Sequence, residues 1–199
     1  MPATATATIV QGLREIPIAK DSEWVNQRRH FETGSVQTQD GAFGDVLLCL
    51  PDGRLTEGLI TNLFVVVAVP AEPTTHEEDT LATSMSTSRI EVQTAGVKDG
   101  VVWGTMRQRV MEACRTLGLG VREVCPRVQE RLTWKEAFLT NALRGVQPLC
   151  RVTCTCEEVN ACRVKPWTLE FDESPAKWTG MIRGAVAALL CETDIRTVI

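Results

Sequence analysis

The stretch from Leu55 to Val69, LTEGLITNLFVVVAV, constrains this chain more than any other. From Leu63 to Val67 the residues Leu, Phe, Val, Val and Val follow one another without a polar break. A strand with one wet face alternates apolar and polar side chains, so an unbroken run predicts a strand over Asn62 to Val69 covered on both faces. Any fold built around it needs a layer on each side. The run is entered through Glu57-Gly58, an acid directly before glycine and a strongly apolar strand, which propensity alone does not explain.

Further elements alternate along the chain. Asp45 to Leu50 reads as a short buried strand followed by a Pro51-Asp52-Gly53 turn. Arg89 to Thr94, Val121 to Cys125, Ala137 to Thr140 and Val146 to Val152 read as strands, the last two around an Asn141 to Gly145 bend. Val97 to Val102 runs around a Lys98-Asp99-Gly100 turn. A helix is expected over Glu23 to Glu32, capped by Ser22, with Trp24, Val25, Arg28 and Phe31 at helical spacing. Thr105 and Gln108 fit a capping box, Met106, Val110, Ala113, Cys114 and Leu117 form the stripe that follows, and Gly118 ends it. Thr133-Trp134-Lys135-Glu136 fits a second capping box opening a short helix, and Ser174-Pro175 a closing helix to about Cys191. The alternation predicts an α/β or α+β class built on a mixed sheet. Residues 1–12, alternating Ala and Thr, read as a flexible leader, and residues 13–199 as a single domain. Residues 70–88, polar and rich in Pro and Thr, read as a mobile surface insertion.

Composition narrows the function classes. The chain has 199 residues, 44% of them hydrophobic and 23% charged, which suits one globular domain. A net charge of −4 with no basic block argues against nucleic acid or an anionic membrane as partner. No apolar run reaches the ~18 residues of a membrane span, and the N-terminus lacks a signal peptide's basic and apolar regions. The clustered cysteines Cys150, Cys154, Cys156 and Cys162 have no histidine nearby and lack a standard zinc spacing. No metal site is expected, and the thiols suit a reduced, cytoplasmic protein.

Four places could carry chemistry, each with an ordinary alternative. Lys20 follows the apolar Ile16 to Ala19; a lysine before a helix usually faces water, but one held and partly desolvated becomes a nucleophilic amine. Glu57 is either a turn residue or the carboxylate that meets a cofactor's ring nitrogen. Gly104-Thr105-Met106 opens a helix, whose free N–H groups make either a simple cap or a phosphate site. Thr140 to Gly145, TNALRG, is either a turn or a second backbone cradle for phosphate.

In order and spacing, AKDSEWVNQRR, LTEGLITNLF, WGTMRQRVMEAC and AFLTNALRGVQPL resemble the class IV pyridoxal-phosphate enzymes over about Ile16 to Val152. That family contains D-amino-acid and branched-chain aminotransferases and aminodeoxychorismate lyase. The resemblance is to the larger C-terminal domain of these fold-type IV enzymes. It implies a barrel-like mixed sheet with flanking helices, pyridoxal 5'-phosphate as cofactor, an amino-acid or keto-acid substrate and a possible homodimer. By position, Lys20 matches the Schiff-base lysine and Glu57 the partner of the pyridinium nitrogen. Thr61 matches a hydroxyl beside the cofactor, and Asn62 the residue fixing that loop. Gly104, Thr105 and Met106 match the phosphate-binding helix start, and Asn141 and Ala142 the second phosphate loop. The sequence departs from the pattern at Ala142, where a hydroxyl is usual, at Trp103-Gly104 for Pro-Gly, at Met106 for Thr, and at Ile60 for Ser. The family's smaller N-terminal domain, which supplies an arginine to the phosphate and much of the substrate pocket, has no counterpart among the 19 residues before Lys20. Two functions follow as expectations: a transaminase or lyase whose missing wall comes from elsewhere, or a non-catalytic domain kept as a binding or structural module.

Overall fold

A sheet that closes on itself organises the molecule. The computed structural model describes residues 4–14, 22–32, 43–70, 88–154, 165–171 and 176–196. Its strands are β1 (Ala5–Gln11), β2 (Phe43–Cys49), β3 (Leu55–Gly58), β4 (Asn62–Pro70), β5 (Ser88–Thr94), β6 (Gly120–Glu123), β7 (Trp134–Asn141), β8 (Gly145–Cys154) and β9 (Trp167–Glu170). They run in the order β3-β2-β1-β8-β7-β4-β5-β6, with β9 on β8, and a β3–β4 pairing closes the first six into a barrel. Within the barrel, β1 lies parallel to β2 and β8 and the remaining pairs are antiparallel, so the sheet is mixed.

The apolar run meets the expectation drawn from it. Leu63, Val65 and Val67 of β4 point into the barrel, where they join Ile9, Leu47, Leu55 and Leu139. Phe64 and Val66 point outward beneath the helices α3 (Thr105–Thr116) and α4 (Lys177–Arg196), packing with Val110, Cys114, Ile182 and Val186. Phe64 stacks on Phe138 with ring centroids 5.0 Å apart, a cross-strand pair that locks β4 to β7. α3 ends as its sequence suggests: Gly118 at φ 68 closes a Schellman turn, with Leu119 N donating to Cys114 O and Gly118 N to Arg115 O.

Several expectations are corrected. Within the stretch 1–12 expected as a flexible leader, Ala5–Gln11 is instead an interior barrel strand. Its alternation turns Ala5, Ala7 and Ile9 into the core, and it pairs in parallel with β2 on one edge and β8 on the other. Trp134 to Glu136 opens no helix; β4 pairs with the segment and draws it into β7. Glu136 instead serves another helix: its carboxylate accepts bonds from Trp178 N, Thr179 N and Thr179 Oγ1 at the start of α4. The helix expected over Glu23 to Glu32 is two short turns, α1 (Trp24–Gln27) and α2 (Arg29–Glu32), without a side-chain cap from Ser22. At α3 the N-cap is Gly104 rather than Thr105, so the expected capping box is not formed. Most of the 70–88 insertion, residues 71–87, lies outside the described residues, as do Ser174, Pro175, Cys156 and Cys162.

No described helix is long and apolar enough to cross a membrane. Among the described residues no group of His, Cys, Asp and Glu could hold a metal ion. Burial pushes the Cys114 thiol up to about 12 and that of Cys125 to about 11, which keeps both as unreactive thiols at neutral pH.

Candidate functional site

Two turns and one helix start meet at one end of the barrel around a cleft of about 560 Å³. The β3–β4 turn brings Glu57, Thr61 and Asn62; the start of α3 brings Gly104, Thr105 and Met106; the β7–β8 turn brings Asn141 and Ala142. These eight are all of the candidate residues except Lys20, which lies outside the described residues. Arg14 and Ser22, which flank the stretch 15–21, both line the cleft. A second groove of about 380 Å³ contains none of the candidates and is walled mainly by charged side chains such as Arg54, Asp99 and Arg122.

Glu57 is 1% exposed, and both of its carboxylate oxygens accept hydrogen bonds. Its Oε1 accepts from Arg14 Nη1 at 3.1 Å, and its Oε2 from the Val102 backbone N at 2.8 Å and Asn62 Nδ2 at 3.4 Å. Burial raises its pKa above the usual carboxylate range, against the pull of the Val102 amide and Arg14; the charge of Asp45 adds to the rise.

Asp45, in β2, is a second buried acid behind the same turn. Its Oδ2 accepts from Thr61 Oγ1 at 2.6 Å, and its Oδ1 from Val46 N at 2.8 Å and Leu59 N at 3.2 Å. No cation bonds it among the described residues, and burial raises its pKa. The turn wraps this carboxylate so tightly that a Cβ on Gly58 would lie 2.4 Å from Asp45 Oδ2 and 2.2 Å from Thr61 Oγ1. Glycine is required here by close approach. Thr61 therefore spends its hydroxyl on Asp45.

The α3 end of the cleft has another close approach. Asn62 Nδ2 donates to Val102 O at 3.0 Å, which sets its Oδ1 where a Cβ on Gly104 would come within 2.4 Å. Gln108 N is the first amide of α3 to bond back, to Gly104 O, so the amides of Thr105, Met106 and Arg107 have no acceptor within the helix. Across the cleft, Asn141 Oδ1 accepts from Leu143 N and Arg144 N and shapes the β7–β8 turn, which Gly145 completes at φ 65. Beside it, Thr140 Oγ1 is buried with no partner among the described residues.

Three contributors escaped the sequence reading. Arg14 sits in a stretch with no pattern that marks it. Trp24 has only the helical spacing of an apolar face in the sequence, yet its Nε1 donates to Leu59 O at 2.9 Å and its ring lies under the Arg14 guanidinium at 4.6 Å. Asp45 carried a usable signal, since an acid opening the apolar DVLLCL strand is as odd as Glu57 before β4.

A model of the amino-transferase class IV family matches residues 35–152. No curated protein sequence matches the chain. Among solved structures, the branched-chain amino acid aminotransferase of Thermobaculum terrenum (M4 mutant) aligns with TM-score 0.60 and 16% identity, over 98% of this chain and 54% of its own. The branched-chain aminotransferase of Thermoproteus uzoniensis with norvaline aligns with TM-score 0.59 and 14% identity, over 94% and 51%. A hypothetical aminotransferase of Mycobacterium tuberculosis, in its alpha-ketoglutarate- and PMP-bound form, aligns with TM-score 0.53 and 14% identity, over 92% and 55%. At these identities the likeness is one of fold, and the chain spans about half the length of each structure.

Proposed function

This chain belongs to the class IV aminotransferase family, and on that premise we propose that its cleft binds pyridoxal 5'-phosphate for a transaminase or a 4-amino-4-deoxychorismate lyase type of reaction. The observation that carries the reading is the gathering of Glu57, Asn62, Gly104, Thr105, Met106, Asn141 and Ala142 around one cleft from three separate parts of the chain. The residues fit the cofactor's two chemical ends. Amides at the α3 start that have no acceptor within the helix suit a phosphate, and the Thr140 hydroxyl, without a partner among the described residues, lies in the same cleft. The buried carboxylate of Glu57 suits a protonated ring nitrogen. Ala142 and Met106 bring no hydroxyl, and backbone amides take that role whatever the side chain.

Roles follow from the chain's own groups. Lys20 supplies the amine that holds the cofactor and moves a proton at the substrate's α-carbon. Arg14 and Ser22, which come before and after Lys20 in the sequence, both line the cleft, and that supports this role. Glu57, held by Arg14, the Val102 amide and Asn62, keeps negative charge at the ring position. Asp45 and Gly58 shape the turn that presents Glu57, and Asn62 ties that turn to the helix that takes the phosphate. The bound cofactor supplies the electron-withdrawing ring that stabilises charge released at the substrate carbon. An amino acid or keto acid is the proposed substrate class, and a homodimer mate is the proposed partner.

Titration of the full chain with pyridoxal phosphate tests this reading. A visible absorbance band should develop and saturate, fail to form in Lys20→Ala, and weaken in Glu57→Gln. A chain that stays colourless at saturating cofactor would support the non-catalytic alternative for the isolated protein.

A further inference from the structure

We infer that Arg14 is a positioning residue of this cleft: braced on the Trp24 ring, its guanidinium holds Glu57 as an ion in one fixed orientation. The inference rests on the reading of Glu57 as the cleft's ring partner. Arg14 and Glu57 form a buried pair, with side chains 12% and 2% exposed and Nη1 3.1 Å from Oε1. In such a pair the loss of one partner leaves the other's charge uncompensated. Arg14 is also braced from behind, its Cζ lying 4.6 Å from the centroid of the Trp24 ring. Trp24 is itself fixed, 4% exposed and bonded through Nε1 to Leu59 O. The contacts make a closed circuit: Arg14 to Glu57, along the turn to Leu59, across to Trp24, and back to Arg14. Residues on both sides of the stretch 15–21 are thereby tied to the turn that carries Glu57.

The charged groups around Glu57 pull in opposite directions. Asp45, from β2, favours the protonated carboxyl, as does burial. Arg14, from the segment after β1, is the cation that favours the ion, helped by the Val102 amide just before α3; Asn62, from β4, adds a neutral donor. Without Arg14, burial and Asp45 would act against little more than that amide. The consequence is chemical. An ionised Glu57 accepts a hydrogen bond from a ligand's N–H, whereas a neutral Glu57 donates one, so Arg14 selects which protonation state of a ring nitrogen the cleft receives.

Carboxyl-carbon NMR on the full chain, without cofactor, tests this, with Glu57 assigned by its loss in Glu57→Gln. In Arg14→Met, which keeps an apolar stem on Trp24, the Glu57 midpoint should rise by about one to two pH units. Arg14→Lys should recover most of that shift. An unchanged midpoint in a folded Arg14→Met protein would overturn the inference. The unmodified protein gives a second reading that needs no variant to fold. The Arg14 side-chain nitrogen signals should shift with the same midpoint as the Glu57 carboxyl, and independent midpoints would also overturn the inference. Because no cofactor is present, coupled titration in a protein that never develops a visible band would count against the proposed function and leave the Arg14–Glu57 linkage standing.

Discussion

At the scale of single residues, two buried acids on one turn have separate roles. Glu57 faces the cleft with a cation beside it; Asp45 lies behind and, among the described residues, is bonded by neutral donors. Burial holds the Asp45 carboxyl above its ordinary value of 3.8. Folding therefore favours its protonated form, and the unfolded chain releases that proton first as pH rises. Its contribution to stability is full below about pH 4 and declines as pH climbs through the folded pKa. Asp45→Asn should flatten that decline, since the amide oxygen can serve Val46 N and Leu59 N while its NH₂ donates to Thr61. Asp45→Ala should cost about 3 kcal/mol by stranding those donors. Urea unfolding of the three proteins from pH 4 to 7 checks both statements. A second prediction concerns Gly104, where an alanine Cβ would meet Asn62 Oδ1 at 2.4 Å. Gly104→Ala should cost about 1–3 kcal/mol in thermal unfolding and weaken cofactor binding more than it weakens the fold. The sequence marked Glu57 because an acid before an apolar strand has no propensity reason. Arg14 was invisible because its partner lies 43 residues away, and no local pattern encodes such a pairing.

At the scale of elements, the legible segments were those whose pattern and packing agree. β4 declared itself through continuous apolarity and is covered on both faces, and α3 through a stripe that packs beneath it. The misread segments have local signals that tertiary contacts override. The Ala-Thr alternation of residues 5–11 looks too polar and too small for a core strand, but parallel pairing with β2 on one edge and β8 on the other holds the segment in the sheet, with Ala5, Ala7 and Ile9 facing the core. Ile9, 0% exposed, tests this assignment: Ile9→Ala should cost about 2–5 kcal/mol by chemical denaturation, whereas a leader residue would cost nothing measurable. The Thr133 to Glu136 pattern imitates a capping box, but Glu136 gives its carboxylate to the start of α4, 43 residues on. Glu136→Ala should lower stability by about 2 kcal/mol and raise amide exchange in the first turn of α4.

At the scale of the whole molecule, the closed barrel is legible through the family resemblance; residue patterns alone predict only a mixed sheet with helices. Closure depends on β3 meeting β4 at Glu57 and Asn62, so the contact that shuts the barrel also builds the cleft. The turn residues, the α3 start and the β7–β8 turn converge because the barrel's closure brings one end of each together, which spacing along the chain cannot reveal. The cleft's mouth carries Val25, Ile60 and Leu143, exposed by 46%, 46% and 95%. Such an apolar rim suits a cleft completed by further polypeptide.

The central claim is that Lys20 and Glu57 serve one cofactor, and one measurement reaches it directly. The full chain is saturated with pyridoxal phosphate, reduced with borohydride, digested and mapped by mass spectrometry. A pyridoxyl group on Lys20 is expected, absent from Lys20→Ala and reduced in Glu57→Gln. Labelling spread over surface lysines, or unchanged by either substitution, would contradict it.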